Sequence, residues 1–257
     1  MKISPKLFLA ALVFAATTFF SFAQTVTLNP TMTAPVTTGP TGNLSANNYG
    51  AAGALAISAP GLSKGTFESV LEFNLSSAAS TFNSLYGTGL WTVQSVTIQL
   101  NATPNNNTAF FNTTAAGQFN ISLMQNNSWT VGSGTPASPS GTGINYNTLQ
   151  STYINNATDQ ALGTFSFGGN TTGMNTYSLT LSSSMIADLM SGSDLSLRMY
   201  ANDSVVSYLF NSESFSTSAD RPLLTIVAVP EPTTLTAFAL GAVLLGSLKL
   251  RNRRAKR

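Results

Sequence analysis

The acidic side chains are the first residues to test for chemistry, because this chain contains neither histidine nor cysteine. That absence excludes a Ser-His-Asp or Cys-His nucleophile, a disulfide framework and any metal site built on imidazole or thiolate. Two carboxylates can still cleave a glycoside, and carboxylate and carbonyl oxygens can still bind calcium. The sequence has no EF-hand calcium loop and no phosphate- or dinucleotide-binding fingerprint. We therefore predict no catalytic residue, no cofactor and no metal, with calcium left open as an alternative without a motif.

Glu68 and Glu72 are the closest acidic pair in a patterned segment. They alternate with Phe67, Leu71 and Phe73, a spacing typical of a half-buried strand. Four residues of strand separate the two carboxylates by roughly 13 Å. Glycosidase pairs lie about 5–9.5 Å apart. We therefore expect Glu68 and Glu72 on a solvated strand face rather than in a catalytic pair.

The C-terminus contains three different segments in succession. Val229-Pro230-Glu231-Pro232 comes first, and its prolines favour the extended backbone that a protease binds. The apolar run 233–248 follows, and it predicts a transmembrane helix over 233–250 with Lys249 reaching the interface. The tail 251–257 is basic. The cations after the apolar run are expected to hold that end in the cytoplasm, and they are Lys249, Arg251, Arg253, Arg254, Lys256 and Arg257.

Residues 229–257 resemble the PEP-CTERM sorting signal of Gram-negative, biofilm-forming bacteria. The resemblance rests on Pro230-Glu231-Pro232 placed directly before an apolar helix and a basic tail. It implies that a membrane peptidase, exosortase, recognises the motif. The protein would stay in the inner membrane before processing and reach the outer envelope or extracellular matrix afterwards. An ordinary C-terminal anchor that is never cleaved remains the alternative.

The N-terminus predicts export. Lys2 and Lys6 precede an apolar run over 7–20, and small residues then favour cleavage between Ala23 and Gln24. We therefore assign residues 1–23 to a signal peptide that engages the Sec machinery and signal peptidase. The exported body, residues 24–228, should be one domain.

The charge of this body argues against nucleic-acid binding. Between Gln24 and Pro230 stand three cations and eight anions, a net charge of −5, although the whole chain carries +2. A domain with a negative net charge is not attracted electrostatically to phosphate backbones. The basic residues of the chain lie mainly in its two terminal segments.

Period-two alternation dominates the body and predicts an all-β fold, a jelly-roll-like β-sandwich. One helix is predicted over Ser183–Ser191, with serines to cap it. The stretch Thr25–Ala59 is predicted to be either an edge strand or an irregular segment that precedes the sandwich. The predicted strands are 67–75, 91–100, 118–124, 161–167, 175–181, 195–201, 205–211 and 223–229.

A second resemblance concerns the body. Residues 207–226, with Glu213 before Arg221-Pro222, are similar to the end of DNRLRE-type jelly rolls that look like carbohydrate-binding modules. Asn126-Asn127-Ser128-Trp129 matches their tryptophan-bearing turn, which makes Trp129 a candidate glycan contact. Glu213 and Arg221 are expected to form a structural ion pair.

These observations together predict a non-enzymatic envelope protein that is sorted by exosortase and associates with exopolysaccharide. A glycan-active hydrolase or lyase that uses Asp or Glu is the alternative.

Overall fold

The computed structural model describes residues 22–102, 111, 117–167 and 173–231. Within these ranges the chain is mostly strand, and two antiparallel sheets form a sandwich. The predicted β-sandwich is confirmed. Residues 1–21 of the predicted signal peptide 1–23, the predicted transmembrane helix 233–250 and the tail 251–257 lie outside the described residues. No helix among the described residues is both long enough and apolar enough to cross a membrane.

The smaller sheet has four strands and contains both ends of the described chain. Its order is β1-β11-β5-β8, so the first and last strands are neighbours. β11 alternates buried and partly exposed residues, as the sequence pattern predicts for a strand with one face on the core. The strands of this sheet are β1 (Gln24–Leu28), β5 (Trp91–Ala102), β8 (Gly173–Leu179) and β11 (Leu223–Pro230).

The larger sheet has seven strands, in the order β10-β3-β4-β9-β6-β7, and β2 pairs with β4. Three strands, β1, β2 and β3, lie in or beside the stretch Thr25–Ala59 that the sequence left undecided. The strands of this sheet are β2 (Met32–Thr37), β3 (Ala54–Ser58), β4 (Phe67–Asn74), β6 (Gly117–Met124), β7 (Gln160–Phe167), β9 (Asp194–Ala201) and β10 (Ser207–Asn211).

The helices connect strands at the ends of the sandwich. The prediction for Ser183–Ser191 is confirmed with the same bounds: the Ser182 side chain accepts a hydrogen bond from the Met185 N–H, and Gly192 ends the helix in the left-handed region. A helix over Ser76–Tyr86 was not predicted. Its buried residues are Ala78, Ala79 and Phe82, and serines fill much of its remaining surface. The polar composition of this segment conceals its apolar face.

The main core lies between the two sheets. It is built from the inward residues of facing strands, among them Leu71, Phe73, Ile98, Phe119 and Ile226, all fully buried. Burying a side chain of this size contributes about 1.5–3 kcal/mol relative to leaving it exposed. The alternation that predicted the strands also identified this inward face.

A second apolar cluster covers the outer face of the larger sheet. It combines Ala34, Val36, Val70 and Met124 of the strands with residues of the long segment that follows β6, and the latter are Trp129, Ile144 and Leu149. We call residues 125–159 the covering segment. It contains a short helical turn, Tyr146–Thr148, that continues as a π-helical turn, Leu149–Tyr153. The sheet is therefore buried on both faces at β4.

Candidate functional site

The first residues of the Pro-Glu-Pro segment belong to the folded sheet. Val229 lies opposite Thr92 and Pro230 opposite Trp91 in the β11–β5 pair. The Glu231 N–H donates to the Leu90 carbonyl oxygen at 2.9 Å. Glu231 itself is exposed. The described part of the motif is thus an extended strand end with an exposed acidic side chain, and Pro232 lies outside the described residues.

Tyr86, at the end of the unpredicted helix, lies beside the first and the last strands of the described chain. Its hydroxyl oxygen is 2.7 Å from the Phe22 carbonyl oxygen and 3.2 Å from the Ala228 carbonyl oxygen. The next strand begins close by, where the Trp91 indole N–H donates to Asn83 Oδ1 at 2.8 Å. This helix therefore packs against the end of the sandwich where the sorting motif begins.

Trp129 does not lie in an exposed loop, which corrects the expectation that its ring forms a sugar platform. Only 1% of its surface is exposed, and its indole N–H donates to Ser196 Oγ at 2.9 Å. The ring packs in the second cluster against the outer face of the larger sheet. Because the rest of the covering segment encloses it, a sugar cannot stack on it in this conformation.

Glu68 and Glu72 are also placed differently from the prediction. They point to the outer face of β4, as the alternation indicates, but they are only 5% and 6% exposed. The covering segment buries them. The expectation of a solvated face is therefore wrong, because one strand's pattern does not show what a distant segment covers.

Glu68 forms a paired salt bridge with Arg198 on the neighbouring strand β9. Arg198 Nε is 2.5 Å from Glu68 Oε2, and Arg198 Nη2 donates to Oε1 at 2.8 Å. Gln150 of the covering segment donates to the same Oε1 at 3.2 Å. The Arg198 guanidinium also lies over the Tyr200 ring, 4.2 Å from its centre. This carboxylate is held by its neighbours and is not directed to an open site.

Glu72 has a weaker set of partners. Ser196 Oγ lies 3.4 Å from Glu72 Oε2, so the Trp129 indole, the Ser196 hydroxyl and the carboxylate form a short chain of contacts. Burial, and then repulsion from Asp194, raise the pKa of Glu72 to about 7, although hydrogen bonds from Ser196 and Thr31 oppose the rise. Glu72 is therefore the carboxylate whose charge depends on pH near neutrality.

The predicted ion pair between Glu213 and Arg221 does not form. Arg221 Nε donates to the Phe215 carbonyl oxygen at 2.8 Å. The Thr33 hydroxyl donates to Glu213 Oε2. Among the described residues the one salt bridge is Glu68–Arg198. The loop after β10 is still held in place, as expected, but by bonds to the backbone and to β2.

A polar pocket of about 570 Å³ opens where the covering segment begins and where its π-helical turn ends. Asn127 lies in its wall, and its Nδ2 donates to the Asp194 carbonyl oxygen at 2.8 Å while its Oδ1 is buried without a partner. The described residues that line the pocket carry no charged side chain, and amides, hydroxyls and one phenol form its surface. The lining residues are Gln125, Asn126, Asn127, Ser128, Thr152, Tyr153, Asn155 and Thr158.

A second pocket, of about 700 Å³, is mostly apolar. Its wall includes Tyr49, Phe67, Phe111 and the buried Lys64, whose ammonium donates to Ser207 Oγ at 2.5 Å. Burial lowers the pKa of Lys64. In the described part of the chain, acidic residues do not converge in groups of three that could hold a metal ion.

Sequence reasoning missed the polar pocket and the covering segment. The available signal was a set of large apolar residues, Trp129, Ile144, Leu149 and Ile154, in a stretch otherwise rich in Asn, Gly and Ser. Such residues in a long loop indicate packing against the domain. Asn48 was missed as well: its side chain is fully buried and bonds the backbone of Val131, Ile144, Gly50 and Gly134.

Comparison with known families supports the assignment of the C-terminus. Residues 228–254 match the family described as the PEP-CTERM protein-sorting motif. The chain therefore carries this motif, and the match begins at Ala228, inside strand β11. The motif implies an exported protein that passes the membrane and is processed by exosortase. No curated protein matches the chain in a sequence comparison.

Proposed function

We propose that this protein is a non-enzymatic component of the bacterial cell envelope that exosortase releases from the inner membrane and that then associates with extracellular polysaccharide. The sorting motif at residues 228–254, directly joined to the last strand of the sandwich, carries the proposal. No linker separates the folded body from the motif, so the domain is delivered wherever the motif directs it.

The surroundings of Glu68 and Glu72 favour a non-enzymatic role over a glycan hydrolase or lyase that would use this pair. Glu68 is held by Arg198 and Gln150, and the covering segment buries both Glu68 and Glu72. A glycosidase needs two carboxylates that reach the same glycosidic bond. These two residues face the protein's own covering segment instead.

The polar pocket supports association with glycans. Amide and hydroxyl side chains both donate and accept hydrogen bonds, as sugar hydroxyls require. The phenol ring of Tyr153 adds an apolar surface beside them. Because its described lining residues carry no cation to pair with an anion, the pocket fits neutral sugar units better than uronate or phosphate groups.

The sorting step is tested by replacing Pro230, Glu231 and Pro232 together with alanine. Hydropathy changes little, so membrane insertion should be retained, but processing should fail and full-length protein should accumulate in the inner membrane. The matched control replaces the exposed Ser216, Thr217 and Ser218 with alanine. Mass spectrometry of the C-terminal peptide, with and without exosortase, distinguishes the outcomes. An intact Arg257 terminus on the extracellular protein would exclude the proposal.

Glycan binding is tested with Gln125→Ala combined with Thr152→Ala, since both residues are exposed at the polar pocket. Affinity electrophoresis in gels containing a neutral glucan, or the exopolysaccharide of the producing cells, should show retardation of the wild type and loss of it in the variant. Gln94→Ala, exposed on the opposite sheet, is the control. Equal mobility of all three proteins with and without glycan would contradict this part of the proposal.

A further inference from the structure

The sorting motif is partly held by the fold that it serves. Three consecutive residues of β11 and its extension, Val229, Pro230 and Glu231, lie along residues 90–92 at the start of β5. We call this contact the motif clasp. The partner strand β1 does not extend to it, because β1 begins at Gln24, which lies opposite Ala228. Among the described residues, the clasp is therefore paired on one side only.

Pro230 fits the clasp without loss of a sheet hydrogen bond. In an antiparallel pair, successive N–H groups of a strand point to alternate sides. The Glu231 N–H points to β5, where it bonds the Leu90 carbonyl oxygen. The nitrogen of Pro230 therefore faces the side where β1 has ended. A proline is tolerated in a strand at such an edge position, so the motif sequence and the pairing are compatible.

The ladder between β11 and β5 is interrupted directly before the clasp. The β11–β5 register shifts between Val227 and Ala228, where Gln94 is the extra residue on β5. A β-bulge leaves the extra residue unpaired and disrupts the ladder locally. The clasp is thus separated from the regular part of β11, so its residues can detach without disturbing the core pairs such as Ile226 with Val96.

A peptidase that recognises Pro-Glu-Pro needs the extended backbone of the motif. The apolar run begins at Thr233, two residues after Glu231, which is at most about 7 Å of extended chain. The whole sandwich therefore lies against whatever binds the motif at the membrane surface. While the clasp is closed, β5 occupies one edge of the strand, and the Glu231 N–H is already bonded.

We infer that residues 229–231 must detach from β5 before exosortase can process the protein, so that the sandwich itself limits access to its sorting motif. This inference rests on the proposed sorting function. The substrate of the peptidase is the opened end of β11. Strand ends open with much lower free energy than the core of a domain, so the clasp slows processing without preventing it.

A cross-strand disulfide tests the clasp, because the chain has no cysteine of its own and the space outside the inner membrane is oxidising. Thr92→Cys with Val229→Cys joins the paired residues of the clasp. Thr97→Cys with Thr225→Cys joins the same two strands on the other side of the bulge and is the matched control. All four positions are partly exposed.

Pulse–chase labelling measures the processing rate of each full-length variant in reduced and in oxidised cells. The quantity compared is the rate in reduced cells divided by the rate in oxidised cells. Comparing each variant with its own reduced form removes any effect of Val229→Cys on recognition. The clasp predicts a ratio of roughly 10 or more for the Thr92/Val229 pair and about 1 for the control. A ratio near 1 for both pairs would overturn the inference.

A variant without cysteine provides a second test. Thr92→Pro removes a backbone donor of β5 opposite Val229, at a position that β8 does not reach. It should open the clasp and speed processing several-fold, and unchanged or slower processing would contradict the inference. Failure of the sorting proposal looks different: the protein with alanine at 230–232 would then be handled like the wild type, whatever the clasp variants do.

Discussion

Gln24, the first residue of β1, lies directly opposite Ala228, two residues before Pro230 on β11. The predicted signal-peptidase site and the sorting motif therefore lie side by side, at one end of the smaller sheet. The Tyr86 hydroxyl contacts the backbone of both chain ends there. The two segments that the sequence predicts to enter a membrane are consequently joined to the sandwich at the same end.

Processing at the C-terminus should not require cleavage at the N-terminus. Ala23→Leu is expected to block signal peptidase, because that enzyme requires small residues at the cleavage site. The doubly attached protein should still lose its C-terminal segment, since both attachments leave the sandwich at the same end. Immunoblots against tags at either end measure the two cleavages separately. Retention of both tags on a chain that is otherwise folded would contradict this geometry.

Trp129 is expected to stabilise the fold. Trp129→Ala should lower the free energy of unfolding by about 3–5 kcal/mol, because it removes a large buried side chain from the second cluster. Trp129→Phe should lower the free energy of unfolding by less, since it keeps most of the packing although it loses the hydrogen bond to Ser196. Urea unfolding of the mature body measures both. Leu85→Ala, at a largely exposed position, serves as control and should change the value by less than about 0.5 kcal/mol.

Removing only one partner of the Glu68–Arg198 salt bridge should lower the free energy of unfolding strongly. Arg198→Leu leaves a buried carboxylate without its partner and is expected to cost about 3–5 kcal/mol. The double variant Glu68→Leu/Arg198→Leu should lose less stability than Arg198→Leu, because no charge then remains buried without a partner. Chemical unfolding at neutral pH measures the three proteins. If the double variant is the least stable, the salt bridge contributes more than the cost of burying its charges.

Stability should fall as pH rises from about 4.3 to about 7 through the contribution of Glu72. Because its folded pKa is raised above the unfolded value, the folded state binds more protons in this window. The favourable contribution is complete at low pH and is lost above the folded pKa. Glu72→Gln should therefore gain stability relative to wild type as pH rises to 8, and thermal unfolding across this range measures the difference. A constant difference would contradict the shifted pKa.

Local patterns were sufficient for much of the architecture. The alternation around Val96, Ile98 and Leu100 identified β5, and the serine cap with Gly192 identified the helix Ser183–Ser191. The helix Ser76–Tyr86 was missed because its few apolar residues stand among serines. The Glu213–Arg221 pair was predicted from proximity in sequence, but backbone and hydroxyl partners closer in space bind both side chains.

The sequence by itself determined that the chain carries a sorting motif and that its body is a β-sandwich, because both follow from residues close together along the chain. Only the tertiary structure decided that Glu68, Glu72 and Trp129 are buried and that Gln24 lies beside Ala228. The alternation of one strand shows which face is apolar, but not which distant segment covers the other face. Burial and strand order depend on contacts between segments far apart in sequence, and those contacts form only when the whole domain packs.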